Sequence, residues 1–135
     1  APHLLSEKQP PYENAHAGLP LVQHALPLML QYAKEGKISL EKTARKMSHA
    51  VADCFQIRER GYIREGYFAD LVIADLNKDS FVSADSLNYK CGWSPFEGTT
   101  FSSTIEKTFV SGCLKWDNGK LISDQKGKRI EFDRM

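Results

Sequence analysis

The sequence has only three cysteines, no long apolar run and no surplus of charge of one sign. Cys54, Cys91 and Cys113 are far apart and odd in number, which suits reduced thiols in a cytosolic protein better than a disulfide framework. No apolar run approaches the roughly 20 residues that span a bilayer, and no secretory signal is visible at the first residues. We therefore expect a cytoplasmic protein that does not contact a membrane.

Composition and charge indicate an ordinary globular protein. Hydrophobic residues make up 41% and charged residues 26% of the 135 residues, and this length is typical of one domain. The formal net charge is +1, and the lysines and arginines are spread along the chain instead of forming a basic stripe. Nucleic acid is therefore not expected as a partner.

Local sequence motifs for catalysis are absent. There is no P-loop, no G-x-G-x-x-G and no G-x-S-x-G,. The four histidines, His3, His16, His24 and His49, include no pair within four residues of each other, so neither H-x-H nor H-E-x-x-H occurs. Because a zinc site needs three or four converging ligands, we predict no catalytic residue and no metal ligand within this chain.

We expect different structural roles for the individual histidines. His24 lies in a helical stretch and is predicted to be a hydrogen-bonded structural residue, while His49 lies near a helix end, where it can interact with the helix dipole. His3 begins a polar loop over residues 1–19. From the residues alone, an ordinary exposed histidine is favoured there over a contact to an anion or a carbonyl.

Apolar residues over 20–57 recur at helical spacing. A first helix is predicted from residue 20 to a stop near Gly36. Pro27 within it either kinks the helix or marks its true first turn, because proline lacks an N–H. Ser39 is the expected N-cap of a second helix, and a further short helix is predicted over Ala50–Phe55.

The second half of the chain predicts strands and loops. The segment Ala69–Asp75 is apolar on both faces, which favours an interior strand, and Ile105–Val110 is a second candidate. Asn118-Gly119 between extended segments is typical of a hairpin. Residues 80–102 are predicted to be mostly loop, with the aromatic stretch 93–98 packing over a neighbouring core, and residues 126–134 predict a solvated terminal strand.

Three segments, in order, resemble the C-terminal end of amidohydrolase-superfamily enzymes. Residues 61–75 are similar to the family signature G-x-I-x-x-G-x-x-A-D-L-V-x-x-D, which enters a small β-sandwich beside the catalytic barrel. Residues 94–98 resemble the family's S-P-F-x-G segment, and residues 105–112 resemble its closing strand. Residues 39–57 look like the helix pair that precedes the sandwich.

The start of the chain narrows the resemblance to the dihydroorotase family. Ala1-Pro2-His3 followed by Glu7-Lys8 is similar to the segment D-H-A-P-H-x-x-x-E-K of those enzymes. The resemblance implies an α/β fold in two parts. Residues 1–58 would be the end of a (β/α)8 TIM-like barrel, with a substrate loop and helices, and residues 59–135 the C-terminal part of a small β-sandwich.

The resemblance also implies a function and its residues. Dihydroorotases reversibly hydrolyse the cyclic amide of dihydroorotate to N-carbamoyl-aspartate in de novo pyrimidine biosynthesis, using two zinc ions. The zinc ligands are expected upstream of Ala1, in the N-terminal part of the same enzyme, so the isolated chain should bind no zinc and be inactive. His3 would bind the substrate carboxylate, and Ala17 and Gly18 would offer backbone groups.

Three alternatives stay open on the residues. The chain can belong to a non-catalytic dihydroorotase-like partner protein whose upstream ligands are replaced. It can belong to another cyclic amidohydrolase, a hydantoinase or allantoinase, although His3 argues against this. It can also be a stand-alone β-rich binding domain, which the helical segment without its own sheet argues against. Homo-oligomer formation is left open.

Overall fold

The computed structural model describes residues 3–9 and 11–133, and in this part of the chain helices precede strands. The helices are α1 (Ala25–Lys34), α2 (Leu40–Ala44) and α3 (Ala50–Phe55). The strands are β1 (Leu71–Asp75), β2 (Ser80–Phe81), β3 (Thr100–Phe101), β4 (Thr104–Val110), β5 (Cys113–Asp117) and β6 (Lys120–Leu121). The architecture is mixed α/β, as the resemblance implied. Among the described residues, none of the helices has the length and apolar character needed to cross a bilayer.

Helix α1 begins later than its apolar pattern suggests. Residues 22–24 form a turn, and Pro27 lies in the first turn of the helix. Because Pro27 has no N–H to donate to the carbonyl of Gln23, a regular helix cannot run through from residue 20. The first-turn interpretation of Pro27 is therefore correct, and the predicted start at residue 20 is wrong. The predicted stop is confirmed at Gly36, whose φ is +73°,.

The second and third predicted helices are joined into one rod. Ser39 caps α2, because its Oγ accepts a hydrogen bond from the Lys42 N–H at 3.1 Å,. A π-helical turn over Arg45–His49 connects α2 directly to α3. No glycine or proline interrupts residues 40–55, so nothing in the local chemistry ends the helix between them. The rod ends where Gln56 adopts a left-handed φ of +55°.

The loop after the rod packs directly on it at Gly61. The Ser48 Oγ, in the π-helical turn, donates a hydrogen bond to the Gly61 carbonyl at 2.7 Å. A Cβ atom at Gly61 would lie only 2.4 Å from the Cβ of Ala52, which is itself buried in α3. The backbone therefore approaches the helix as closely as a residue without a side chain permits.

An ion pair between a buried arginine and a partly exposed aspartate fixes the same loop to the sheet. The side chains of Arg60 and Asp70 are 10% and 32% exposed, and the Arg60 guanidinium pairs with the Asp70 carboxylate and lies 4.2 Å from the centre of the Phe68 ring. The other carboxylate oxygen accepts a hydrogen bond from the Ser111 N–H at 2.7 Å. Ser111 belongs to the turn between β4 and β5, so Asp70 connects the start of β1 to that turn.

The main sheet is antiparallel with strand order β1-β4-β5-β6. The predicted hairpin is confirmed: Asp117 pairs with Lys120, and Asn118 and Gly119 between them have φ values of +45° and +91°. The predicted strand over Ile105–Val110 is confirmed as β4.

The prediction of an interior strand over Ala69–Asp75 is wrong within the described residues. The strand starts at Leu71, and β1 pairs with β4 alone, at the edge of the sheet. Val72 is 48% and Ile73 is 47% exposed. The segment is apolar on both faces, but the described part of the chain supplies no second neighbour to cover it.

The predicted terminal strand is not formed either. Among the described residues from 126 to 133, β-type pairing is limited to one isolated bridge between Phe132 and Ile57. The Arg58 N–H donates to the Glu131 carbonyl at 3.0 Å, and the Asp133 N–H donates to the Gln56 carbonyl at 2.8 Å. The tail therefore lies against the end of α3 instead of joining the sheet, while Arg134 falls outside the described residues.

The best-buried core lies where α1 packs against β3, the second strand of the small β2–β3 pair. Leu30, Val82 and Phe101 are buried here. His24 is 5% exposed and lies beside the Phe101 ring, with its Nδ1 3.2 Å from the Ser94 Oγ. Burial lowers the pKa of His24 below its ordinary value, because charge is costly in an apolar surrounding. The prediction of a hydrogen-bonded structural histidine is confirmed.

The close packing at Gly61 can be tested by Gly61→Ala, with Gly66→Ala as the matched control. Both glycines have nearly the same positive φ (+83° and +84°), but a Cβ at Gly66 would meet no atom within 4 Å. The control should therefore report backbone strain of about 1–2 kcal/mol. Gly61→Ala should cost at least about 1 kcal/mol more, from overpacking against Ala52. Urea unfolding measures both, and equal losses would contradict the packing argument.

The buried neutral His24 predicts a loss of stability in mild acid. The unfolded chain takes up the proton near pH 6.5, whereas the native state resists it until a lower pH. Stability should therefore fall as the pH drops below about 6.5. Urea midpoints measured from about pH 7.5 to about pH 5.5 should decline for the native sequence and decline less for His24→Gln. Parallel declines in the two proteins would contradict this assignment.

Candidate functional site

The His3 loop, residues 3–9 with a single helical turn over Leu5–Lys8, carries the first predicted site residue. The Glu7 carboxylate accepts a hydrogen bond from the Leu4 N–H at 2.6 Å and lies 3.5 Å from His3 Nδ1. The His3 ring stacks on the His16 ring, with centroids 4.4 Å apart and planes 5° from parallel. The side chain of His3 remains 32% exposed, so it is open to a ligand from solvent.

Lys8 ties this loop to the segment that carries the other predicted site residues. Its Nζ donates hydrogen bonds to the carbonyls of His16 and Gly18, the latter at 2.5 Å. A longer hydrogen bond, 3.5 Å, runs from the His16 N–H to the Glu7 carbonyl. The structure thus brings His3 close to Ala17 and Gly18, although their part in binding stays a prediction.

His3, Ala17 and Gly18, which we call the patch around His3, include hydrogen-bond donors that have no acceptor in the described part of the chain. Ala17 and Gly18 are exposed, and within the described residues their backbone N–H groups donate to no protein acceptor. Gly18 has a φ of +94°, a conformation that glycine adopts at no steric cost. An imidazole near two N–H groups that lack a protein acceptor is chemically suited to a small anion such as a carboxylate.

Sequence reasoning missed the contribution of Trp93 to this site. Its indole Nε1 donates a hydrogen bond to the His3 carbonyl at 2.7 Å, across 90 residues of sequence. The expectation that residues 93–98 pack over a core is confirmed for Phe96, whose ring meets Phe101 edge to face at 5.4 Å. Trp93 instead supports the His3 loop. No local spacing signals a contact between residues so far apart.

The structure also groups three possible metal ligands. The ligand atoms of His3, Glu7 and His16 all lie within 4.8 Å of one another. The two histidines are thirteen positions apart and form no recognised motif, so sequence spacing did not reveal the cluster. The prediction that this chain contributes no metal ligand stays a prediction, and this cluster is where it can be tested.

A separate cleft of about 710 Å³ lies between the start of α1 and the two sheets. Its walls include Gln23, Phe81, Ile105, Trp116 and Leu121. None of the predicted site residues lines this cleft. Its lining is predominantly apolar, and among the described residues the possible metal ligands cluster around His3 and not in this cleft, so the patch around His3 is the better candidate site.

The support from Trp93 can be tested by Trp93→Phe, with Trp116→Phe as the control. Trp93→Phe removes the hydrogen bond to the His3 carbonyl, worth about 1 kcal/mol, and should speed amide hydrogen exchange or proteolysis in residues 3–9. Trp116→Phe also loses one indole hydrogen bond, to the Ile105 carbonyl at 3.2 Å, but within the sheet. If both variants change the His3 loop equally, the specific role of Trp93 is wrong.

Comparisons with known proteins bear on the whole chain. Residues 17–122 match the model of the amidohydrolase family. The dihydroorotase of Halobacterium salinarum is 35% identical over 130 residues, and that of Pyrococcus furiosus is 32% identical over 130 residues. Each match covers 96% of this chain but 30% of the relative. The chain therefore spans less than a third of the length of these curated relatives.

Other cyclic amidohydrolases are similar as well. The allantoinase of Desulfitobacterium hafniense is 32% identical over 114 residues, covering 84% of this chain and 25% of the relative. The L-hydantoinase (dihydropyrimidinase) of Arthrobacter aurescens superposes with a TM-score of 0.80 at 27% identity, over 88% of this chain and 28% of that structure. The family match covers well over half of the chain, and the chain therefore belongs to the amidohydrolase family.

Proposed function

We propose that this chain is the C-terminal part of a zinc-dependent dihydroorotase. The observation that carries the proposal is the partly exposed imidazole of His3, stacked on His16, near the N–H groups of Ala17 and Gly18, which donate to no acceptor among the described residues. His3 lies 14 and 15 positions before Ala17 and Gly18, yet Lys8 in the His3 loop donates hydrogen bonds to the carbonyls of His16 and Gly18 and ties the two segments together. The similarity to dihydroorotases over nearly the full chain supports the same substrate class.

The proposed reaction is hydrolysis of the cyclic amide of dihydroorotate to N-carbamoyl-aspartate, and the reverse ring closure. In the complete enzyme, two zinc ions would supply the hydroxide and polarise the carbonyl. The residues of this chain do not fit that centre, because the described histidines form neither an H-x-H pair nor a two-ion ligand set. We propose that the zinc ligands belong to an N-terminal part of the same enzyme.

The role proposed for this chain is to hold the substrate in place. The dihydroorotate carboxylate would accept a hydrogen bond from His3, and the ring would accept hydrogen bonds from the backbone of Ala17 and Gly18. A charge-assisted hydrogen bond contributes about 1.5–3 kcal/mol. Fixing the ring orientation also brings the amide to the reacting groups in a productive geometry. This chain would therefore act mainly on binding and positioning.

The fold proposal follows from which surfaces are left uncovered. We propose that residues 1–58 form the last helical part of a (β/α)8 barrel and residues 59–135 part of a β-sandwich. Leu40, Met47 and Phe55 on the α2–α3 rod are exposed apolar residues. Together with the uncovered edge strand β1, they are suited to packing against the rest of such an enzyme. We also propose a cytoplasmic location and leave oligomerisation to measurement.

The second candidate is another cyclic amidohydrolase. The similar allantoinase and L-hydantoinase favour it, since their cyclic substrates share the amide chemistry. The candidates differ in what they demand of His3: a dihydroorotase must hold a carboxylate on the ring, and hydantoin and allantoin carry none. Comparing turnover of dihydroorotate, hydantoin and allantoin by the complete protein decides between the candidates.

The proposed role of His3 predicts the behaviour of His3→Ala in the complete protein. Losing the contact to the carboxylate should raise the KM for dihydroorotate by about 10- to 100-fold. The two catalytic zinc ions, measured by atomic absorption, should remain bound. The control is His49→Ala, because His49 lies on the helical rod and stacks on Tyr62. Loss of the two catalytic zinc ions in His3→Ala, or an unchanged KM, would contradict the proposed role.

A further test uses the gene. If the coding sequence upstream of Ala1 encodes the zinc ligands, the result supports a catalytic dihydroorotase. If other residues replace those ligands, the result favours the non-catalytic partner protein. The 135-residue chain with added zinc should show no turnover of dihydroorotate, and measurable turnover would refute the proposal that the catalytic ligands lie elsewhere.

A further inference from the structure

We infer that His3, Glu7 and His16 form a binding site for one divalent ion of the zinc class, separate from the proposed catalytic zinc pair. Two of the three ligands, Glu7 and His16, have no part in the substrate contacts proposed above. The inference therefore goes beyond the proposed function and does not depend on it.

The distances between the ligand atoms suit one shared ion. Zinc binds imidazole nitrogen and carboxylate oxygen at about 2.0–2.2 Å, so two ligand atoms on one tetrahedral ion lie roughly 3.4 Å apart. His3 Nδ1 and Glu7 Oε2 are already 3.5 Å apart. All three ligand atoms lie within 4.8 Å of one another, so the ligand atoms must approach one another by about 1 Å, together with rotation of an imidazole ring.

The ligand types restrict the ion. Two histidines with one glutamate are a ligand set used by zinc, and imidazole nitrogen favours zinc, nickel and cobalt over magnesium and calcium. His16 is exposed, and His3 and Glu7 are partly exposed, so an ion can enter from solvent. With three protein ligands, at least one coordination position is left for water or another small ligand.

The backbone around the ligands is held by four contacts. The His3 carbonyl accepts from Trp93, the His16 carbonyl accepts from Lys8, and the Glu7 carbonyl accepts from the His16 N–H. The Leu4 N–H orients the Glu7 carboxylate. These contacts fix the relative positions of the three ligand residues, so binding an ion orders mainly side chains.

Binding must break the stacked pair of imidazoles. The rings of His3 and His16 are nearly parallel, and the lone pairs of two parallel, stacked rings cannot both point at one ion. At least one ring must rotate about its side-chain bonds. Metal binding should therefore shift the NMR signals of both imidazoles together, a signature that weak binding to one exposed histidine would not give.

The test is titration of the 135-residue chain with Zn²⁺ by calorimetry and with Co²⁺ by its visible absorption. One ion per chain is expected. His16→Ala and Glu7→Gln should each weaken Zn²⁺ binding by at least about tenfold, while His49→Ala leaves it unchanged. All variants retain Cys54, Cys91 and Cys113, so binding by thiols would survive in every one of them. Circular dichroism checks that the variants remain folded.

Three results would overturn the inference: no Zn²⁺ binding by the native chain, equal affinity in the native chain and His16→Ala, or a fall in affinity in His49→Ala as large as that in His16→Ala. The KM for dihydroorotate, measured with the complete protein, tests the proposed function independently of the inferred ion site. His16→Ala should keep the KM for dihydroorotate, whereas His3→Ala should raise it, whichever way the Zn²⁺ titration turns out.

Discussion

The ion pair between the buried Arg60 and the partly exposed Asp70 is the interaction on which the arrangement of the two halves depends. A guanidinium that is almost fully buried needs a carboxylate beside it, because removing that partner leaves an uncompensated charge in a poorly hydrated surrounding. Asp70 is also held by the backbone of Ser111, and Gly61, next to Arg60, lies against Ala52. One short loop thus connects the helical rod, the edge strand and the β4–β5 turn.

The candidate site derives its geometry from a core that lies outside it. His24 in the turn before α1 contacts Ser94, and the neighbouring residue, Trp93, holds the carbonyl of His3. A series of contacts therefore links the buried His24, through residues 93 and 94, to the partly exposed His3. The two histidines have opposite requirements: His24 must be shielded from protons and water, whereas His3 must be reachable by a ligand.

Local chemistry in the sequence predicted the features that depend on a few neighbouring residues. The cap at Ser39, the stop at Gly36 and the Asn118-Gly119 hairpin follow from side-chain hydrogen bonds and positive φ angles. The family was also identified correctly from ordered motifs. Two errors concern long-range packing: the edge position of β1 and the course of the tail beside α3. The continuous rod was missed although it is local: residues 40–55 contain no glycine or proline that would end the helix. The contact of Trp93 with His3 was missed because it too is long-range and no pattern of spacing encodes it.

The hydrogen bond between Trp93 and His3 makes two distant parts of the gene depend on each other. Recombination that exchanges residues 3–18 between relatives would transfer the histidine without the indole that supports its backbone. A protein engineer who grafts this loop must therefore carry position 93 with it. Because the indole bonds a backbone carbonyl, position 93 sets the path of the loop and not the choice of side chain at position 3, although 90 residues separate the two.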